Sequence, residues 1–332
     1  MKRLLAVLSF IAITSVVHAQ VDPHFSQYYV YPSWLNPALT GAIDGDFRIS
    51  GIYRNQWGSI DNAFSTAGIS GDVVTNKNIN FGASIMQQKA GTGGYKYLTG
   101  YISVAYTGIR FDAEGYKRLV FGLQAGLVDR RFDRTKFQLG DQWNPITGYN
   151  PSSATTDQFP RTSSSVFDAG AGILYYDAAP GQKSNIFAGF SASHITQPED
   201  PFTNGSVKAK LPVRYTLHGG IKLNLSESFT LVPNALYLKQ GTAEEKMVGA
   251  YAQIKGGEFF DFLFGGNYRF KDAVAPFAGF YYKNMTMGFS YDVNTSDLGK
   301  NVNNTNSFEL SLSYTFRKAK QAAGRNFVCP RL

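Results

Sequence analysis

Three histidines lie beyond the N-terminal leader: His24, His194 and His218. With Asp168, Asp261, Arg214 and Arg269 they are the side chains best suited to proton transfer or metal binding. Their spacing fits no metal-ligand pattern. His218 alternates with polar residues near Ser and Thr, so a Ser/His pair is conceivable. No nucleophile is singled out, however, and a hydrogen-bonded structural histidine is the preferred reading. The run Asp292-Val-Asn294-Thr-Ser296 opens like a calcium loop. Its sixth position is Asp297 rather than Gly and its twelfth is Asn303 rather than Glu, so a polar loop is expected instead. Gly91-Thr-Gly93-Gly94 lacks phosphate-loop spacing and reads as a hairpin tip. Cys329 is the single cysteine, which precludes an intramolecular disulfide. These residues point to no catalytic group, no metal site and no cofactor; no small-molecule substrate is identified.

The elements that would position such side chains follow a period of two. In the last strand Phe308, Leu310, Leu312, Tyr314 and Phe316 alternate with Ser307, Glu309, Ser311, Ser313 and Thr315. One face would meet lipid and the other a polar lumen. Residues 211–224 and 118–127 repeat the pattern, the former with Leu211 and Val213 among its outward residues. Fourteen such runs start near 47, 64, 78, 97, 117, 165, 184, 211, 228, 246, 259, 274, 284 and 305. They are about 10 to 14 residues long, enough for a tilted strand to cross a bilayer and longer than an average globular strand. Short connections follow the even-numbered strands. The three longest, near 131–164, 195–210 and 294–304, all follow odd-numbered ones. Short periplasmic turns and long extracellular loops are the pattern of outer-membrane barrels. The expected fold is all-β: a transmembrane antiparallel β-barrel of about 14 strands. A secreted β-sandwich or propeller is the soluble alternative, but its strands would be shorter.

Composition agrees. Of 332 residues, 34 are Gly, 15% are aromatic and only 17% are charged, which suits many strands and tight turns. Lys2 and Arg3, an apolar run over 4–17 and Val17-His18-Ala19 form a signal peptide over 1–19. The net charge of +8 includes those two residues and five more in Arg317, Lys318, Lys320, Arg325 and Arg331. The basicity therefore belongs to a tail, and nucleic acid is not an expected partner. Val232, Leu236 and Leu238, with Phe259 and Leu263, would be apolar on an inward face, which suits a lumen filled by protein better than a water-filled pore.

The candidate filling is the stretch between leader and first strand. Residues 20–46 are irregular, with Pro23, Pro32 and Pro37 opposing helix and strand and with Phe25, Tyr28, Tyr29, Tyr31 and Trp34 needing a packing partner. The expected division is 1–19 signal peptide, 20–46 a plug in or under the lumen, 47–317 the barrel and 318–332 a basic periplasmic tail. Inward Arg48, Arg54 and Gln56 of the first strand would hold the plug.

Asp22-Pro23-His24-Phe25-Ser26-Gln27-Tyr28, Leu35-Asn36-Pro37-Ala38, Gly41 and Tyr53-Arg54-Asn55-Gln56-Trp57 together resemble the N-terminal signature of the PorP/SprF family. The ending Cys329-Pro330-Arg331-Leu332 is similar to the family's Cys-Pro-Arg-aromatic terminus, with Leu332 in place of the aromatic. The resemblance implies a non-enzymatic outer-membrane component of type IX secretion and gliding. It would export or anchor a surface adhesin bearing a type IX sorting domain, or join a periplasmic peptidoglycan-binding lipoprotein. Outer-membrane lipids would surround it, with both termini periplasmic. Trp143, Tyr149, Phe159 and Phe202 would be extracellular anchors for the partner, and the basic tail residues periplasmic ones. A passive diffusion porin is the competing reading.

Overall fold

Alternating residues that must face two solvents fold here into a single closed ring of strands. The computed structural model describes residues 22–58, 64–75, 77–156, 161–199, 210–302 and 305–317. The strands are β1 Phe47–Gln56, β2 Phe64–Val73, β3 Ile79–Ala90, β4 Tyr95–Arg110, β5 Lys117–Arg131, β6 Ser163–Asp177 and β7 Ser184–Ser193. They continue as β8 Arg214–Asn224, β9 Phe229–Gln240, β10 Ala243–Lys255, β11 Phe260–Arg269, β12 Ala273–Tyr282, β13 Met285–Asn294 and β14 Ser307–Phe316. Each pairs antiparallel with its sequence neighbours, and β1 pairs with β14 to close the barrel. Closure leaves no free edge, so every main-chain ladder is satisfied within the wall, as a bilayer demands. Among the described residues no helix is long and apolar enough to cross a membrane.

The period-two reading holds along the wall. Leu310, Leu312, Tyr314 and Phe316 are exposed on the outside, while Glu309 of the same strand is wholly buried inside. Val232, Leu236 and Leu238 are buried inward, as expected. Two residues differ. Phe259 precedes β11 and is exposed, so it does not face the lumen. Leu211 precedes β8 and is buried, because its amide bonds to the Pro198 carbonyl and folds it over the rim. Asp292 and Asn294 are not in a loop but end β13, with Asp292 pointing inward.

Residues 22–46 run inside the barrel as three single turns, Tyr28–Val30, Pro32–Leu35 and Pro37–Leu39, joined by irregular backbone. Asp22 sits at the long-loop end, beside Tyr97, His194 and Arg214. Asp46 sits at the short-turn end, where its amide bonds to the Phe316 carbonyl. The segment therefore traverses the lumen from the long-loop end to the short-turn end before β1 turns back. Arg317 lies at the short-turn end, bonded to Asp44 and Asn284. The two ends of the described chain are thus at opposite mouths of the barrel. The termini expected on the periplasmic side lie outside the described residues; an even strand count fixes only the ends of the strands, and residues 22–46 cross the lumen once more before β1.

Candidate functional site: the occupied lumen

The segment is held at three levels. At the long-loop end, one carboxylate captures two successive backbone amides: Ser26 N and Gln27 N donate to Glu309 Oε1 and Oε2 at 2.7 and 2.8 Å. Arg54 Nη1 donates to the same Glu309 at 2.5 Å and to Asp292 at 2.9 Å. Arg269 joins Asp292 at 2.8 Å and the Ser26 hydroxyl at 2.9 Å, and His24 lies within 3.0 Å of Arg54. Gln27 bridges Ser290 and Ser311, and Asn267 donates to the Ser26 carbonyl. Arg54 and Glu309 are directly opposed across β1 and β14, so the pair that closes the barrel also grips the segment.

A second cluster binds the other flank of the same mouth. His194, one residue beyond β7 with a φ of 57°, stands between Asp22 and Asp168 at 2.7 Å from each. Arg214 reaches Asp22 at 3.1 Å and the Trp34 carbonyl at 2.7 Å, and its guanidinium lies 4.6 Å from the Trp34 ring centre. Burial alone would lower the His194 pKa, but the Asp22 and Asp168 carboxylates outweigh it and raise it to about 9. Asp22 moves the opposite way: burial would raise it, but His194 and Arg214 hold it well below the usual carboxylate range. The His194 contribution to stability is full below its unfolded value near 6.5 and lost as pH rises through 9. The Asp22 contribution is present above about 3.8 and lost as pH falls through its depressed folded value. Both describe one shared ion pair. Taking the protein from pH 7 to 10 is expected to lower its unfolding free energy by about 2–3 kcal/mol. His194→Gln should flatten that part of the profile. Denaturant midpoints measured against pH check it, and parallel profiles for the two proteins would overturn it.

Mid-lumen, Phe25 packs edge-on to Trp34 and Tyr31, and Tyr29 contacts Tyr251 and Phe277. Burying side chains of this size contributes about 1.5–3 kcal/mol each. The Leu35-Asn36-Pro37-Ala38 turn fits a glycine notch in β5, β6 and β7. A Cβ on Gly122 would overlap the Ala38 amide, and one on Gly172 the Asn36 carboxamide. Gly122 and Gly172 are register partners. Asn36 Oδ1 accepts from Ala38 N at 2.9 Å, which fixes its Nδ2 as donor to the Ile173 carbonyl and to His218 Nε2, at 3.0 and 3.1 Å. His218 Nε2 is therefore an acceptor committed to the segment. At the short-turn end the Gly41 amide, at φ 71°, donates to Asp72, which also pairs with Arg48 at 2.7 Å.

The structure brings most of the singled-out residues together. Pro23, Phe25, Gln27, Tyr28, Leu35, Asn36, Pro37 and Gly41 are buried in the lumen, with Arg54 and Gln56 on the wall around them. Trp57 stands apart, half-buried past the end of β1 with its ring against Phe64. Trp143 and Tyr149 meet across a two-residue ribbon in the loop between β5 and β6. Ile146 at the tip of that ribbon is 93% exposed, and no strand alternation marks it. Phe159, Phe202, Lys318, Lys320, Arg325 and Arg331 lie outside the described residues, as do the leader and the tail. Asp22, Asp292 and Glu309 were not recognised as anchors. The one available signal was that Glu309 is the sole acid on an inward face otherwise made of Ser and Thr.

A closed fourteen-stranded transmembrane barrel whose lumen is occupied by its own N-terminal segment defines the class. The model of the type IX secretion system membrane protein PorP/SprF matches residues 17–314, and the chain belongs to that family. No curated protein matches the chain. Among solved structures it is similar to the toluene transporter TbuX of Ralstonia pickettii, at 10% identity over 85% of this chain and 92% of that one, with a TM-score of 0.48. It is also similar to the Pseudomonas putida toluene transporter TodX, at 8% identity over 88% and 94% with a TM-score of 0.49. The CymD monoaromatic hydrocarbon channel matches at 11% identity over 90% and 95%, also at 0.49. Likeness at these levels says nothing of cargo.

Proposed function

We propose that this protein is a plugged, non-enzymatic adaptor of the type IX secretion machinery that binds a secreted surface adhesin at its long-loop end. The single observation that carries the reading is the lumen. It is crossed by a segment tied to the wall by two buried charge clusters and a glycine notch, which suits a docking scaffold better than a conduit. In this reading the long loops face outward and Arg317 faces the periplasm. The segment of residues 22–46 begins at the outer mouth. The ribbon carrying Trp143, Ile146 and Tyr149 supplies the apolar anchors, since aromatic residues are favoured at interface cores. A periplasmic peptidoglycan-binding lipoprotein would instead meet the basic residues Arg317, Lys318, Lys320, Arg325 and Arg331.

Affinity purification from cross-linked outer membranes tests the assignment. Trp143→Ala with Ile146→Asp is expected to reduce adhesin recovery at least tenfold, as loss of about 1.4 kcal/mol or more at an anchor site would. Truncation after Arg317 should leave adhesin recovery intact. Undiminished adhesin recovery with the loop variant, or loss only with the truncation, would move the docking surface to the other end.

A further inference from the structure

The lumen is filled unevenly. The Pro37–Leu39 turn packs on β4, β5 and β6, and a vestibule with a cavity volume of about 90 Å³, open at its mouth, remains at the short-turn end on the side of β10–β14. Its two walls differ in chemistry. Tyr29, Tyr251 and Phe277 form an aromatic wall closing it toward mid-lumen. Ser311, Ser313 and Thr315 line the inward face of β14; Ser311 is already bonded to Gln27 and Ser313 to Ser50, so these two hydroxyls meet an incoming main-chain N–H with their remaining lone pairs. Alternate strand residues repeat at about 6.6 Å, which is also the two-residue repeat of an extended peptide laid beside them. The site thus suits an extended segment that offers polar main chain to one wall and a bulky apolar side chain to the other.

Arg317, the last described residue, lines the mouth. Its guanidinium is fixed there by Asp44 at 3.1 Å and Asn284 at 2.5 Å, and its Nε donates to the Asp44 carbonyl at 2.8 Å. Fifteen residues follow, 318–332, and they include the apolar pair Phe327-Val328. Ten residues from Arg317 reach at most about 33–36 Å, as far as a ten-residue strand is long. We propose that the vestibule is the docking site of the chain's own C-terminal residues 318–332, with Phe327 and Val328 against Tyr29, Tyr251 and Phe277. Attachment at the mouth supplies an effective concentration on the order of a millimolar, so even a site with a dissociation constant of about 0.1 mM is filled about ten to one. The docking concerns this chain alone and stands whichever partner the loops take.

Cys329, the only thiol, sits two residues from Phe327 and reports on the site directly. In full-length protein refolded in lipid, Ser313→Cys is expected to form an intramolecular disulfide with Cys329 on mild oxidation. Ile146→Cys, at the far mouth, should not, and adding Phe327→Asp to Ser313→Cys should abolish the cross-link. With the wall left native, maleimide should alkylate Cys329 on the order of tenfold more slowly in the wild type than in Phe327→Asp. A Ser313→Cys cross-link no more frequent than that of Ile146→Cys overturns the proposal. So do equal alkylation rates in wild type and Phe327→Asp. A cross-link found only between molecules also overturns it, assigning the vestibule to a second copy.

Discussion

Arg54→Met is expected to destabilise the folded barrel by about 3–5 kcal/mol, because removing one member of a buried charge group leaves its partners uncompensated. Asp292 retains Arg269 after the change, but Glu309 keeps only the two backbone amides of the N-terminal segment as strong donors. A buried carboxylate held by amides alone is costly in a site where its Arg54 partner had stood at 2.5 Å. Adding Glu309→Gln should recover most of the loss. A neutral amide needs no counter-charge, and it still accepts one of the two backbone hydrogen bonds, leaving a residual of about 1 kcal/mol. The cycle therefore predicts a strong favourable coupling between the two substitutions. Denaturant titration of protein refolded in lipid, followed by heat-dependent gel mobility, measures all four corners. Two outcomes would sink the idea: an Arg54→Met shift below about 1 kcal/mol, or a Glu309→Gln change that adds to it instead of relieving it.

The wall was readable in the sequence because a lipid-facing strand obeys a local rule. All fourteen strands begin within three residues of where alternation places them, the largest offsets being at β8, 211 against 214, and β10, 246 against 243. The lumen was readable only in outline. Five aromatics in an irregular, proline-broken stretch announce that it must be buried, and inward Val232, Leu236 and Leu238 announce that something fills the barrel. What fixes the segment depends on contacts made across the closed ring. Asp22 meets His194 across 172 positions and Ser26 meets Glu309 across 283. No periodicity connects such residues, and Asp292 even imitated the start of a cation loop. The glycine notch is equally silent. Gly122 and Gly172 are ordinary inward positions by alternation, and only the approach of the Asn36–Ala38 backbone makes a Cβ there impossible. The passage of residues 22–46 from one mouth to the other was silent for the same reason, since a segment crossing the lumen leaves no strand-like signature.

Deleting residues 22–40 is expected to convert a barrel that passes no steady current in a planar bilayer into one that is continuously open. Eight strands leave an interior that side chains alone can fill, and sixteen to eighteen leave an aqueous channel. Fourteen fall between, and here the filling comes from outside the wall. The shortened chain keeps β1 to β14, so the ring can still close, but it loses Ser26 and Gln27 as partners of Glu309 and the Asn36 turn as the occupant of the notch. Arg54 and Glu309 oppose each other across the β1–β14 seam, so their mutual bond survives the deletion, and the main-chain ladder from Phe47–Phe316 to Gln56–Ser307 keeps the barrel closed while the lumen empties. Gel mobility before and after heating separates a barrel that folds and conducts from one that fails to fold. Should the deletion not fold, Gly122→Leu provides the second route, since its side chain would occupy the space of the Ala38 amide and push the turn off β5. Steady conductance in the wild type that hardly rises in either folded variant would mean the segment blocks nothing, and the porin reading would replace the adaptor.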